Sequence, residues 1–253
     1  MPVHADATTE KRHAIIEEPG GRSAQHERVD RPCVLAVEGN DERAFLIKLL
    51  AKLGLEDRVY IRVFGRRSKL PKSLRMLVES PGFWENARSL GIVMDAEEAP
   101  ELSYKSVCGA LQSAKLSASR EELVPVPGPP EVDILILPGD DRPGSIETVC
   151  LDSVEETHII SCVNGFSECV EKEWTQEMAR QHGQDEDSEK RKPTAAKLHK
   201  MRAHAFLSTI YEKPEIRLGE AAGKGCGWNL DHHAFDKLRD FLTNLCSVVS
   251  APD

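Results

Sequence analysis

Short apolar runs alternate with helical patterns through the first half of the chain. Four segments have the length and branched-residue content of strands, namely residues 33–37, 59–64, 90–94 and 132–137. Segments with apolar side chains at helical spacing separate them, after residue 39 and over residues 70–78 and 102–116. Strands that alternate with helices are typical of a parallel sheet. The pattern therefore predicts an α/β fold with a largely parallel, open sheet flanked by helices.

The second half of the chain has a different pattern. Beyond residue 146 it is almost entirely helical, with clear segments at 194–211 and 234–248. The first residues mix charges of both signs and offer few apolar positions. We expect a flexible N-terminal tail over residues 1–31, an α/β core over 32–160, and a helical C-terminal extension over 161–250 that packs on the core as a layer.

Carboxylates stand where two of the predicted strands end. Glu38 follows the run 33–37, and Asp95 follows the run 90–94. The carboxyl ends of parallel strands share one edge of the sheet, and ligands usually bind there. Glu97 lies two residues after Asp95, so the period of two turns both side chains toward the same side. The carboxylates are expected to converge on one hard cation.

Several acids near these strand ends have two interpretations. Asp41 and Glu42 fall in the first turn of the first helix, where they either offset the helix dipole or add to the carboxylate site. For Gly39, the plain interpretation is that it permits a tight turn. Glu147 is a plain first-turn residue of a helix capped by Ser145, or a third contribution to the same site.

Two motifs carry a resemblance to a known family. The first is Val-Glu-Gly at residues 37–39 with Glu42 four residues after its Glu, and the second is an apolar strand that ends in Asp95-x-Glu97. In this order they resemble the Toprim fold of topoisomerases, primases and OLD-type nucleases. Residues 134–147 and 193–245 are similar to a small, poorly characterised bacterial Toprim-like family. The similarity runs from about residue 33 to 245. One departure is that Glu97, a longer side chain, stands where the family has Asp.

The resemblance implies a Toprim-like domain that hydrolyses phosphodiesters, as OLD-like nucleases do, or carries out a related phosphoryl transfer with Mg²⁺ or Mn²⁺. The metal ligands that it implies are Glu38, Glu42, Asp95, Glu97 and Glu147. Some relatives carry an ATPase, so a partner ATPase is a possible requirement. The competing function is a regulatory protein that binds a metal or nucleotide without turnover, and Glu97 in place of Asp keeps that alternative open.

Phosphoryl transfer also needs a cation to stabilise the charge that develops on phosphate. Lys200 resembles a lysine in the C-terminal helix of the family, and His204 lies one helical turn further on the same face. These two residues are the predicted catalytic groups. The alternative is that Lys200 belongs, with Lys197 and Arg202, to a solvated helix face.

A basic segment follows the second predicted strand. Residues 65–75 contain five Lys or Arg and no acid. Because the segment begins near the same sheet edge, Arg66, Arg67 and Lys69 are the candidates for nucleic-acid contact, with a solvated surface as the alternative. The net charge of −9 argues against a non-specific coat on nucleic acid, although local clustering decides phosphate binding.

Composition excludes several classes of protein. The chain has 253 residues with 40% hydrophobic residues, enough for a sizeable core. No run approaches the roughly 18 apolar residues of a membrane span, and no secretory signal opens the sequence, so we expect a cytoplasmic protein without a membrane partner. The seven cysteines form no C-x-x-C pair, which favours buried free thiols over a zinc or disulfide framework. The oligomeric state cannot be predicted from the sequence.

Overall fold

The computed structural model describes residues 28–116, 130–182, 193–212, 215–222 and 227–247. Residues 1–27 of the predicted tail lie outside these ranges. The described part of that segment includes Val29, which is fully buried and whose backbone N–H donates a hydrogen bond of 2.8 Å to the carbonyl of Pro81. Val29 therefore packs with the core.

Four parallel strands form the sheet, in the spatial order β2-β1-β3-β4. They span Cys33–Val37 (β1), Val59–Val63 (β2), Ser89–Asp95 (β3) and Glu131–Leu137 (β4). β1 pairs in parallel with β2 on one side and β3 on the other. The chain order reverses between β1 and β3, which is the place where open parallel sheets bind ligands. The predicted α/β class, the parallel open sheet and all four strands are confirmed.

Nine α-helices occur in the described ranges. They span Asn40–Leu53 (α1), Leu70–Val78 (α2), Phe83–Asn86 (α3), Pro100–Ser113 (α4), Ile146–Asp152 (α5), His158–His182 (α6), Ala195–Ile210 (α7), Leu218–Ala221 (α8) and Asp236–Ser247 (α9). α4 begins two residues before the predicted start, because Pro100 is well tolerated in the first turn of a helix. None of the described helices is long and apolar enough to cross a membrane.

The helices cover both faces of the sheet. Along β1, Leu35 and Val37 pack into a core shared with α1, α5, α7 and α9, whereas Val34 and Ala36 pack against α2, α3 and α4. Gly91 in β3 lets α9 approach closely, since a Cβ atom there would lie 2.9 Å from a methyl carbon of Leu245. The predicted helical C-terminal layer is therefore confirmed, on the same face of the sheet as α1.

Six cysteines in the described ranges are free thiols. Burial was predicted for all of them and is correct for Cys33, Cys150 and Cys246. Cys162 and Cys169 instead lie exposed on α6, because only one stripe of that long helix packs against the rest of the protein.

Candidate functional site

Glu38 and Asp95 lie at neighbouring strand ends, where the strand order reverses. Val37, the last residue of β1, is in register with Val93 in β3. Glu38 directly follows Val37, and Asp95 is the last residue of β3. The parallel pairing therefore brings both carboxylates to the same edge of the sheet, as the apolar runs predicted.

Asp95 is the most deeply placed acid of this group, with 6% of its surface exposed. Burial raises the pKa of Asp95 well above its usual range, and the nearby carboxylates of Glu42, Glu147 and Glu38 raise it further. Its Oδ1 atom accepts a hydrogen bond of 3.1 Å from the backbone N–H of Ile146, the first residue of α5. Asp95 therefore links β3 to α5 at the centre of the acid cluster.

Glu42 enters the cluster from the first turn of α1. Its carboxylate folds back over Gly39, where the Cβ of any other residue would overlap it. Burial raises the pKa of Glu42, and the carboxylates of Glu147 and Glu38 add to the effect. The small residue at Gly39 thus makes room for the Glu42 side chain in addition to permitting the turn.

Glu97 lies on the loop after β3, and two backbone hydrogen bonds clip this loop to the loop after β4. Its backbone N–H and C=O both form 2.8 Å hydrogen bonds with Gly144, in the loop after β4. Glu97 has a φ of 52°, in the left-handed region that non-glycine residues rarely adopt. The side chain is exposed, and its charge raises the pKa of Glu38 after the larger effect of burial. This clip holds the loops after β3 and β4 together beside the acids.

Glu147 lies in the first turn of a helix capped by Ser145, as predicted. Ser145 and Thr148 form a reciprocal capping box at the start of α5. The Ser145 hydroxyl also donates a 2.6 Å hydrogen bond to Oε2 of Glu147. From this first turn, the Glu147 charge raises the pKa of Asp95 and Glu42, so the residue belongs electrostatically to the cluster.

Lys200 on α7 supplies a positive charge to these acids. Burial by itself lowers the pKa of its ammonium, but the carboxylates of Glu147, Asp95, Glu42 and Glu97 raise the pKa above the ordinary value. The structure thus brings together the five predicted acids and the predicted lysine.

α7 is held next to the acid cluster at its first turn. Oε1 of Glu98, the neighbour of Glu97, accepts the backbone N–H of Ala195 at 2.8 Å. The Thr194 side chain caps the same turn through the N–H of Lys197. The loop that follows β3 therefore both carries an acid of the cluster and orients the helix of Lys200.

The two histidines of α7 have different surroundings. His204, the second predicted catalytic residue, is exposed. His199 is half-buried against α5, with Nδ1 2.7 Å from Oγ1 of Thr148. Burial lowers the pKa of His199, and the charge of Arg202 lowers it further. No sequence signal marks His199, because its partner lies 51 residues away in the chain.

The three residues predicted to contact nucleic acid also differ in their exposure. Arg66 and Lys69 are exposed, whereas Arg67 is half-buried. The Arg67 guanidinium donates hydrogen bonds to Oγ of Ser103 at 2.7 Å and to the carbonyl of Asp95 at 3.3 Å. Its backbone hydrogen bond and its charge both lower the pKa of Glu38, against the larger effect of burial. Arg67 is therefore part of the wall of the acid cluster.

The cluster has more negative than positive charges. Five carboxylates interact electrostatically with the charge of the exposed Lys200, and the Arg67 guanidinium acts on one of them, Glu38. Within the described ranges, no group of three or more His, Cys, Asp or Glu side chains is arranged to hold a metal ion. The carboxylates are gathered but are not arranged as a set of metal ligands.

Comparisons with known proteins give one family and one solved structure. No curated protein matches the chain. The solved structure is the C-terminal region of the OLD protein of Xanthomonas campestris pv. campestris, with a TM-score of 0.38 and 13% sequence identity over 87% of this chain and 98% of that one. A family model matches residues 32–247, which is most of the chain. The chain therefore belongs to the family described as protein of unknown function DUF3226.

Proposed function

We propose that this protein is a Toprim-like enzyme that hydrolyses phosphodiesters, or carries out a related phosphoryl transfer, with Mg²⁺ or Mn²⁺. One observation carries the proposal. Acids from α1, α5 and the loop after β1 all raise the pKa of Asp95, which ends β3 at the sheet edge where ligands of open α/β sheets bind. Folding does not need such a concentration of like charge, so we attribute it to a ligand.

The donor set fits a hard divalent cation. Mg²⁺ and Mn²⁺ prefer carboxylate oxygens over nitrogen and sulfur. The ligands that we propose are Glu38, Glu42, Asp95, Glu97 and Glu147. Burial and mutual repulsion raise the pKa of Glu38, Glu42 and Asp95, and a cation would offset both effects. Because the described acids form no finished ligand cage, we expect binding to draw the side chains inward.

In this proposal the chain supplies the basic groups around the reacting phosphate. A bound Mg²⁺ or Mn²⁺ would polarise a phosphoryl oxygen and lower the pKa of a water molecule. Lys200 would stabilise the charge that develops on phosphate, and Arg67 holds the end of β3 in place through the Asp95 carbonyl. The exposed Arg66 and Lys69 would contact a nucleic-acid backbone.

A second candidate function is metal or nucleotide binding without turnover. The observation that favours it is that the described acids are not assembled as a ligand cage. A protein that had lost the ability to hydrolyse its substrate but kept the fold would have acids arranged in this way. The two candidates share the proposed ligands and differ only in whether a bound phosphodiester is cleaved.

The test is calorimetric titration with Mn²⁺, followed by cleavage assays on DNA, RNA and small phosphodiesters. Asp95→Asn should abolish Mn²⁺ binding, whereas the matched control Asp133→Asn, at an exposed position of β4, should leave it unchanged. Equal Mn²⁺ affinity in the parent and Asp95→Asn would remove the proposed site. Mn²⁺ binding without cleavage of any substrate favours the second candidate, and cleavage that appears only with an added ATPase would identify a partner.

A further inference from the structure

His199 and Thr148 connect α7 to the first turn of α5, which carries Glu147. His199 Nδ1 lies 2.7 Å from Thr148 Oγ1. The same oxygen accepts the backbone N–H of Ser145 at 3.0 Å. One hydroxyl therefore closes the capping box of α5 and also contacts the helix that bears Lys200.

We propose that His199 is a positioning residue that holds the Lys200 ammonium among the carboxylates; this inference rests on the proposed function of the site. Consecutive residues of an α-helix are about 100° apart around its axis. Fixing His199 against Thr148 therefore fixes the rotation of α7 at Lys200. A lysine side chain is long and flexible, so the rotation of the helix sets only the region that its ammonium can reach.

The hydrogen-bonding capacity of the two groups fits this role. A threonine hydroxyl has one proton to donate and two lone pairs. One lone pair of Thr148 Oγ1 is taken by the Ser145 N–H, so the hydroxyl can donate its proton to His199 Nδ1 or accept a proton from it with the second lone pair, according to the tautomer of the ring. Burial and Arg202 both favour the neutral ring, whose Nδ1 can accept that proton. A neutral His199 also does not compete with the Lys200 ammonium for the nearby carboxylates.

Other contacts keep α7 attached when the His199 contact is lost. Glu98 Oε1 accepts the N–H of Ala195 at 2.8 Å, and the Arg202 guanidinium donates a 2.5 Å hydrogen bond to Oδ1 of Asn164 on α6. These contacts lie on either side of His199 in the helix. Loss of the His199 contact should therefore change the position of the Lys200 ammonium and have much less effect on the stability of the whole protein.

Three substitutions in the full chain separate hydrogen bonding from packing. In His199→Asn the amide oxygen lies near the position of Nδ1, so the variant keeps an acceptor for Thr148. In His199→Gln the acceptor lies one bond further out, and His199→Leu has none. His158→Asn, at an exposed position at the start of α6, is the control for a surface histidine.

The first measurement is the rate at which an amine-reactive ester acylates Lys200, read by peptide mass spectrometry with the exposed Lys48 as internal reference. Carboxylates raise the pKa of Lys200 and so keep its amine protonated. A Lys200 that leaves them should react faster. We expect an increase of about threefold or more in His199→Leu and His199→Gln, and a parental rate in His199→Asn and His158→Asn.

The second measurement is turnover with Mn²⁺. We expect His199→Leu to lower kcat roughly tenfold while KM and Mn²⁺ affinity change less than about twofold, because the contact acts on charge stabilisation and not on the ligands. His199→Asn should restore kcat to within about threefold of the parent. A structural defect alone would lower Mn²⁺ binding and turnover together.

Equal Lys200 acylation in the parent and His199→Leu would overturn the proposal. If the leucine variant does not fold, the glutamine and asparagine variants decide, and equal Lys200 reactivity in those two variants would overturn it as well. A parent that cleaves no phosphodiester would refute the proposed function, but the acylation rates would still decide whether His199 positions Lys200. The two failures are therefore distinguishable.

Discussion

The backbone N–H of Ile146 donates a 3.1 Å hydrogen bond to Oδ1 of Asp95, which joins the end of β3 to the first turn of α5. Burial and three nearby acids oppose the charge of the Asp95 carboxylate that accepts this bond. An asparagine oxygen can accept the same N–H. Substitution by Asn therefore removes the charge and keeps the bond.

The first prediction is that Asp95→Asn stabilises the metal-free protein at neutral pH. The pKa of Asp95 is raised by folding, so the folded state binds its proton more tightly than the unfolded state. The free energy of unfolding is then highest at acidic pH, and it falls as the pH rises from the unfolded value of about 4 through the folded pKa. The Asn side chain does not ionise, so the free energy of unfolding of Asp95→Asn does not fall in this way as the pH rises.

Urea unfolding at several pH values between 5 and 8, without divalent cations, measures the effect. We expect Asp95→Asn to exceed the parent at pH 8 by on the order of 1 kcal/mol, which is about 2–4 °C in Tm for a protein of this size. The difference should shrink toward pH 5. Asp133→Asn should show no such trend, and an Asp95→Asn variant less stable than the parent at pH 8 would contradict the prediction.

The second prediction concerns the opposite charge. Lys200 lowers the pKa of Glu38, Glu42 and Asp95, so Lys200→Met should raise the pKa of these carboxyls further and weaken the fold at neutral pH more than at acidic pH. In the proposed enzyme it should also lower turnover by roughly a hundredfold, the typical cost of losing a donor aimed at developing charge.

Denaturant unfolding at pH 5 and pH 7.5, together with single-turnover cleavage, separates the two effects of Lys200→Met. Lys48→Met, an exposed lysine of α1, is the matched control. A variant that cleaves as fast as the parent would assign Lys200 to the solvated face of α7, which was the alternative interpretation of its sequence.

Much of this site could be predicted because strand ends can be recognised in the sequence. The apolar runs before Glu38 and Asp95 are short and end abruptly, and strands in a parallel sheet bring their carboxyl ends to one edge. The segment that became α2 was predicted with its bounds, because its apolar side chains recur at helical spacing. The order of the strands is a property of the fold and appears only in the structure.

The parts that could not be predicted depend on contacts between residues distant in sequence. Arg67 stands in a basic run typical of an exposed surface, yet its guanidinium turns inward to Ser103, 36 residues away. His199 looks like any polar residue of an amphipathic helix, and its contact with Thr148 becomes visible only when α7 packs on α5. Local pattern cannot distinguish such residues from their solvated neighbours.

The third prediction follows from the different surroundings of the basic residues. Replacing the exposed Arg66 and Lys69 together by Ala should leave stability within about 0.5 kcal/mol of the parent. If these residues contact a phosphate backbone, nucleic-acid binding should weaken and its log–log slope against salt should flatten by about two units, one for each lost contact.

Arg67→Ala should behave differently. It removes the Arg67 donor from the Ser103 hydroxyl oxygen and the Asp95 carbonyl, and it removes a charge that lowers the pKa of Glu38, so we expect a loss of about 1–3 kcal/mol in stability. Urea unfolding and binding titrations at several salt concentrations test both variants. Similar behaviour of Arg67→Ala and the double variant would contradict this division of roles.

The last prediction uses Gly39 to move Glu42 without replacing it. The backbone of Gly39 is extended, with φ of −129°, so alanine is allowed there. The nearest atoms to the added Cβ belong to the end of the Glu42 side chain, which it would overlap, and a flexible side chain gives way at little cost. Gly39→Ala should therefore keep the fold and displace one proposed ligand.

We expect Gly39→Ala to unfold within about 1 kcal/mol of the parent, while its Mn²⁺ affinity falls by roughly 10- to 100-fold, the usual effect of disturbing the support of a metal ligand. Gly109→Ala on α4, where an added Cβ meets open space, is the matched control and should bind Mn²⁺ like the parent. Calorimetric titration and urea unfolding of the three proteins decide the matter. If the parent binds Mn²⁺ and Gly39→Ala binds it equally tightly, Glu42 is not a ligand. The position of the Glu42 side chain over Gly39 then serves only the turn into α1.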